Sequence, residues 1–155
     1  MKILIIFYSR TGTTKKVAEN IAKILKADIE EIFDNKNRIG VLGYINAGKD
    51  ASFKRLTSIK KLEKDSSKYD LLIIGTPIWA GNITPAVRTY ISDKKFNKVA
   101  FFITAGGGEC KNALIELSEL TTNPLATLEL STKEVQNNES DIKILEFSKK
   151  IKELN

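Results

Sequence analysis

Three stretches of the chain are apolar at nearly every position: KILIIF at residues 2–7, LLIIG at 71–75 and VAFFIT at 99–104. Runs this short, without alternation, fit strands buried on both faces. Between them the period changes. Val17, Ile21, Ile24 and Leu25 recur at helical spacing and predict a helix over 13–26 with Thr13 as its N-cap. A short strand is expected over 28–33, then a polar, glycine-containing stretch over 34–49, then a mixed segment to 68 that holds a further helix. Thr84 and Pro85 have the order of a cap and a first helical position, so a helix is expected over 85–91. Leu114, Leu117 and Leu120 mark another helix, 126–130 a fifth strand, and 142–154 a closing helix. Ile144, Leu145, Phe147, Ile151 and Leu154 form the apolar side of that last helix.

Strands alternating with helices predict right-handed βαβ crossovers, hence an α/β fold with a parallel sheet covered on both faces. No repeat, linker or low-complexity tract divides the 155 residues, so one domain over 1–155 is expected. At that length folding buries roughly 70% of the surface of the unfolded chain. Three of the strands run into loops rich in hydroxyls, glycine or proline. In such sheets ligands bind outside the carboxyl ends of the strands, so the three loops are expected to converge on one site.

Composition narrows the chemistry. There is no histidine and a single cysteine, Cys110. That counts against the usual zinc, iron–sulfur and haem sites and removes histidine as a general acid or base. Chemistry is left to carboxylates, hydroxyls, lysines or a bound cofactor. The unpaired cysteine, with no apolar run long enough for a signal peptide or a membrane span, leads us to expect a cytoplasmic protein. The net charge is +6. No aromatics interleave a basic cluster, so a nucleic-acid role is not expected, and the basic balance bears on acidic partners or substrates instead.

The first loop is Ser9-Arg10-Thr11-Gly12-Thr13-Thr14. At a strand-to-helix corner, free backbone N–H groups and the helix dipole favour an anion, and neutral hydroxyls can wrap a phosphate without a lysine. Gly12 lets the backbone turn closely. The alternative is that Thr13 and Thr14 cap the helix while Ser9 and Thr11 satisfy loop backbone. The second loop, Gly75-Thr76-Pro77-Ile78-Trp79-Ala80-Gly81-Asn82, holds the only tryptophan, placed on a turn where a flat ring gains by stacking on another. The third, Thr104-Ala105-Gly106-Gly107-Gly108-Glu109, permits close backbone approach.

The first loop resembles the phosphate loop of the flavodoxin family, in which a Ser/Thr-x-Thr-Gly-x-Thr run after the first strand holds the phosphate of FMN. It is not the G-x-G-x-x-G of dinucleotide sites, and the first strand does not end in the aspartate of a receiver domain. The second loop resembles the family's G-T-P-x-W/Y-x-G stretch. That resemblance implies Trp79 beside the isoalloxazine ring and backbone near Gly81 at its N5 edge. By the same resemblance the third loop lies over the pyrimidine edge. It lacks the aromatic that many flavodoxins place there, and the chain lacks their net acidity.

The resemblance implies a flavodoxin-like three-layer, doubly wound, five-stranded sheet of order 2-1-3-4-5, of the short-chain kind. FMN is then the expected cofactor, held at Ser9 to Thr14, at Thr76, Pro77, Ile78, Trp79, Ala80, Gly81 and Asn82, and at Thr104 to Gly108. The function implied is an electron carrier between redox partner proteins. The uncovered ring face leaves open an FMN-dependent NAD(P)H:quinone-type oxidoreductase taking nicotinamide and quinone substrates, and a phosphate-binding scaffold module is the non-redox alternative.

Two lesser signals remain. Gly43 to Asp50 nearly spells a nucleotide P-loop, but Asp50 stands where a Ser or Thr must reach magnesium, so it is read as a loop entering a helix, with Tyr44 as a lid over the site or a surface residue. Cys110 opens a helix, where the dipole could lower a thiol pKa. With no resolving cysteine and no base nearby, it is read as a structural or incidental thiol.

Overall fold

The computed structural model describes residues 1–154 apart from Asp93 and Glu109. Glu109, the last residue of the third loop, therefore lies outside the described residues. The three apolar runs form the centre of one sheet. β1 (Ile3–Phe7) pairs in parallel with β2 (Asp28–Glu31) on one side and β3 (Leu71–Trp79) on the other. β3 continues in parallel to β5 (Val99–Ala105), and β5 to β6 (Thr127–Ser131). A two-residue strand, β4 (Asn82–Ile83), folds back antiparallel on the end of β3. The order β2-β1-β3-β5-β6 is the expected 2-1-3-4-5 of the parallel strands, renumbered by this hairpin strand.

Alternation along each strand divides the core in two. Ile3, Ile5 and Phe7 pack with Val17, Ala18 and Ile21 of α1 (Thr13–Leu25) and with Ile144, Phe147 and Ile151 of α6 (Asp141–Lys152). Leu4, Ile6 and Tyr8 point the other way, onto Val87 and Ile91 of α3 (Pro85–Ser92) and Ala113 and Leu117 of α4 (Lys111–Leu120). Two helical layers thus enclose the sheet. No helix among the described residues is long and apolar enough to cross a membrane.

Several local expectations are corrected. The helix between β2 and β3 is α2 (Gly40–Ser52), earlier than expected, and 53–65 forms no helix. Its inward face is Gly43, Ala47, Asp50 and Ala51, so core packing left no stripe of large apolar residues to find. β3 runs on through Thr76 and Pro77 to Trp79, because Thr76 and Pro77 keep register with Ile103 and Thr104 of β5. Most of the second loop is therefore strand. Thr13 is the first residue of α1 and not its cap, which is Gly12 at φ 89°. The closing helix ends at Lys152, so Leu154 lies beyond it, and both Leu145 and Leu154 face solvent. One short helix escaped the periodicity altogether: α5 (Thr132–Gln136) is fixed by a capping box, in which Ser131 Oγ accepts the Glu134 N–H while the Glu134 carboxylate accepts the Ser131 N–H.

Candidate functional site

The three loops meet at the carboxyl end of the sheet, around a cavity of about 790 Å³. From the first loop Arg10, Thr11, Thr13 and Thr14 line it. Thr13 and Thr14 open α1 ahead of its first intrahelical bond, from Lys16 N–H to the Gly12 carbonyl at 2.9 Å. Their own N–H groups thus have no partner within the helix, and the positive end of the dipole faces the cavity. Ser9 has a different part. Its Oγ accepts the N–H groups of Gly12 (3.1 Å) and Lys15 (3.2 Å), so it laces the loop together and does not line the cavity. Gly12 supplies the left-handed turn that this lacing requires.

Pro77, Ile78, Trp79 and Ala80 line the same cavity from the β3–β4 hairpin. Ala80 (φ 49°) and Gly81 (φ 76°) make its two-residue turn, both left-handed as a tight hairpin demands, and the Asn82 amide closes it on the Ala80 carbonyl at 2.8 Å. Gly81 belongs to the turn and Asn82 opens β4, and neither is part of the lining. Trp79 is half-buried, with its ring edge-on to Tyr8 at 5.5 Å between centroids and 88° between planes. Burial, followed by the charge of Asp34, pushes the Tyr8 hydroxyl up to about 12, so it stays neutral. Thr76 is fully buried beneath the hairpin: it donates to the Pro77 carbonyl (2.9 Å) and meets Thr84 Oγ1 at 3.2 Å.

Thr104, Gly106 and Gly107 complete the far wall. Ala105 is buried at the end of β5, and Gly108, at φ 93°, turns the loop away. A Cβ at Gly106 or Gly107 would meet nothing within 4 Å, so the backbone here is open to a ligand. Thr14 Oγ1 and Thr104 Oγ1 lie 2.8 Å apart and tie this wall to the first. One hydroxyl proton of that pair is committed between them, which leaves one for a ligand.

A fourth wall is present, of which the sequence marks only Tyr44, in its lid reading. Tyr44, Ile45, Ala47, Gly48 and Lys49 of α2 line the cavity, as does Thr132 at the start of α5. The P-loop-like stretch Gly43 to Asp50 is helical throughout, where a loop entering a helix is expected, and Asp50 is buried against Arg38. Arg10 reaches across to this wall, its guanidinium 5.1 Å from the Tyr44 ring centre and Nη1 donating to the Arg38 carbonyl at 3.3 Å. Arg38 in turn binds Asp34 (3.0 Å) and Asp50 (2.7 Å) below α2. Burial opposes both charges, but the Arg38 and Lys36 hydrogen bonds outweigh it and hold the Asp50 carboxyl below its ordinary value. An anion fits the first wall, a flat ring fits beside Trp79, and the lining carries no carboxylate, thiol or imidazole among the described residues.

Residues 2–143 match the family model described as Flavodoxin. The chain belongs to the flavodoxin family. No curated protein matches it. Among solved structures it is similar to a flavoprotein in complex with FMN from Lactobacillus acidophilus, with 24% identity over 88% of this chain and 97% of that one and a TM-score of 0.68. It is also similar to the two-electron reduced flavodoxin of Megasphaera elsdenii (15% identity, 96% and 98% covered, TM-score 0.57). A third likeness is to general stress protein 14 of Treponema denticola in complex with FMN (13% identity, both chains fully covered, TM-score 0.56). At these identities the likeness shows a shared fold.

Within this flavodoxin fold Cys110 stands at the start of α4, where burial and then the charge of Glu129 push its thiol up. A lowered, reactive thiol is not what this helix start provides, which agrees with the incidental reading.

Proposed function

We propose that the chain binds FMN non-covalently in the 790 Å³ cavity and carries electrons between redox partner proteins. The observation that carries this reading is the convergence of a neutral-donor helix start, a tryptophan wall and an open glycine backbone on one cavity. Each suits one part of FMN. The hydroxyls of Thr11 and Thr13, with the N–H groups opening α1, suit the phosphate. Trp79 suits the ring system, and the backbone at Gly106 and Gly107 can approach the edge of that ring.

Bound FMN supplies a centre that takes up and releases electrons. The chain's own groups bind and orient it. The titratable side chains lining the cavity are Arg10, Tyr44 and Lys49. None is paired with a carboxylate poised as a base, which favours a carrier over an enzyme with its own acid–base step. The unpaired Cys110 fits a reducing compartment, and we place the protein in the cytoplasm.

One observation favours a second reading, an FMN-dependent NAD(P)H:quinone-type oxidoreductase. The third loop brings glycines and no ring to the site, so room remains for a second flat ligand. An anaerobic titration separates the two. The chain is loaded with FMN, then given NADH or NADPH, then a quinone, while the flavin absorption is followed. Reduction only by dithionite or a partner protein supports the carrier; bleaching by nicotinamide and recovery with quinone supports the reductase. A chain that takes up no FMN overturns both and leaves the phosphate-binding module.

A further inference from the structure

The positive charge of the chain is concentrated beside the cavity. Residues 34–60 hold six cations, Lys36, Arg38, Lys49, Lys54, Arg55 and Lys60, against two carboxylates, Asp34 and Asp50: a net +4 of the chain's +6. Asp34 and Asp50 are buried with Arg38, and Lys36 and Arg55 lean on Asp50 from outside, so the charges this segment exposes are the cations Lys36, Lys49, Lys54, Arg55 and Lys60.

The same segment turns its large apolar side chains outward. α2 packs inward on Gly43, Ala47 and Ala51, while Val41 and Leu42 are each 77% exposed and Ile45 57%. Ile39 just before the helix and Phe53 just after it are exposed as well. An ordinary surface helix buries its large apolar side chains; α2 buries small residues and leaves the large apolar ones exposed. The face is continuous with the cavity, because Tyr44, Ile45 and Lys49 belong to both. Whatever covers the helix also stands at the mouth of the site.

We infer that the outward face of α2 and its flanking cations form the docking surface for an acidic one-electron redox protein. An apolar centre inside a charged rim is the anatomy of a protein interface, and a rim of one sign selects a partner of the other. A second copy of this chain would set +4 against +4. A membrane-lying helix carries many cations of its own, whereas α2 carries one, Lys49. The proposal rests on the FMN-carrier reading. In each encounter one electron leaves the partner's reduced centre and enters the bound flavin, and no bond forms or breaks.

The test uses 15N-labelled protein titrated at low ionic strength with an acidic plant-type [2Fe–2S] ferredoxin. Amide shifts are expected within 36–60 and at the cavity rim, with affinity falling steeply as salt is raised. Lys54→Glu with Lys60→Glu should weaken binding about tenfold, while Lys149→Glu with Lys152→Glu on α6 should weaken it about twofold or less. Leu42→Ser should weaken binding without changing its salt dependence. Dispersed spectra verify that each variant is folded.

Shifts on another face, or equal effects of the two charge-reversal pairs, overturn the proposal. So does binding to phosphatidylglycerol-containing vesicles in place of the ferredoxin, or self-association through α2 in sedimentation. FMN titration of the same variants separates the two readings. Retained FMN with lost ferredoxin binding supports the docking surface, whereas a wild-type chain that binds ferredoxin through α2 but no FMN overturns the carrier reading and, with it, the electron transfer assigned to the encounter.

Discussion

Thr14 Oγ1 and Thr104 Oγ1 meet at 2.8 Å in the interior, joining the first turn of α1 to the end of β5. This pair sets the distance between the phosphate-side wall and the glycine wall of the cavity. Thr14→Val removes one hydroxyl at constant shape and leaves the other buried without its partner, which should cost about 1–3 kcal/mol in urea unfolding. Replacing both residues by valine should recover much of that loss, since neither polar group then lacks a partner. A double variant that merely adds the two single losses would mean the hydroxyls do not support each other.

The phosphate and the ring of the proposed ligand can be tested separately. Thr11→Ala and Thr13→Ala each remove a neutral donor that would face a charged phosphate, so each should weaken FMN binding by about 1.5–3 kcal/mol. Riboflavin has the same ring and no phosphate. Its affinity should be unchanged in both variants, so the preference for FMN over riboflavin should narrow by the same amount. Fluorescence titration with the two flavins measures this, and an equal loss for both would place these hydroxyls away from the phosphate.

The central strands could be read directly because both of their faces are buried: in β1 every residue from Ile3 to Phe7 is enclosed. The loops after β1, β3 and β5 could be read as one site because the topology brings the carboxyl ends of parallel strands together. What was not visible is the α2 wall beyond Tyr44. Its core-facing residues are Gly43, Ala47 and Ala51, which leave no periodic signal, and its large residues are exposed. Gly43 is required there, since a Cβ would run into the Arg38 backbone. Nor does a hydroxyl in a motif reveal its direction. Ser9 stands in the motif among hydroxyls expected to donate to a ligand, yet its oxygen accepts from Gly12 and Lys15 within the loop.

Trp79 is the only tryptophan, and it lines the cavity while standing edge-on to Tyr8. FMN entering the cavity should therefore quench tryptophan emission and saturate at one flavin per chain. Trp79→Ala should weaken FMN binding by about 1–3 kcal/mol, the range for an aromatic platform under a flat ring. Its effect on folding should be smaller, because the indole is only half-buried. Saturation of the fluorescence change without loss of affinity in Trp79→Ala would mean the indole is near the flavin but does not stack on it. Unfolding of that variant would make Trp79 a core residue.

Asp50 links the acid stability of the fold to the α2 wall. Its carboxylate is buried and bound to Arg38 at 2.7 Å and to Lys36 at 3.2 Å. Against the opposing effect of burial, these partners hold its pKa below the ordinary value in the folded chain. A depressed carboxyl stabilises the fold above its unfolded pKa, near 3.9, and that contribution disappears as pH falls through the lower folded value. Asp50→Asn keeps the shape but leaves the buried Arg38 with Asp34 as its remaining carboxylate, a change expected to cost about 3 kcal/mol at pH 7. The gap between wild type and variant should stay constant from pH 7 to 5, begin to narrow below about pH 4 as the unfolded chain binds the proton, and close only as the pH falls through the lower folded value. Urea unfolding at pH 7, 5 and 3.5 measures it. A gap that persists unchanged at pH 3.5 would show that Asp50 acts there through shape and hydrogen bonding rather than through its charge.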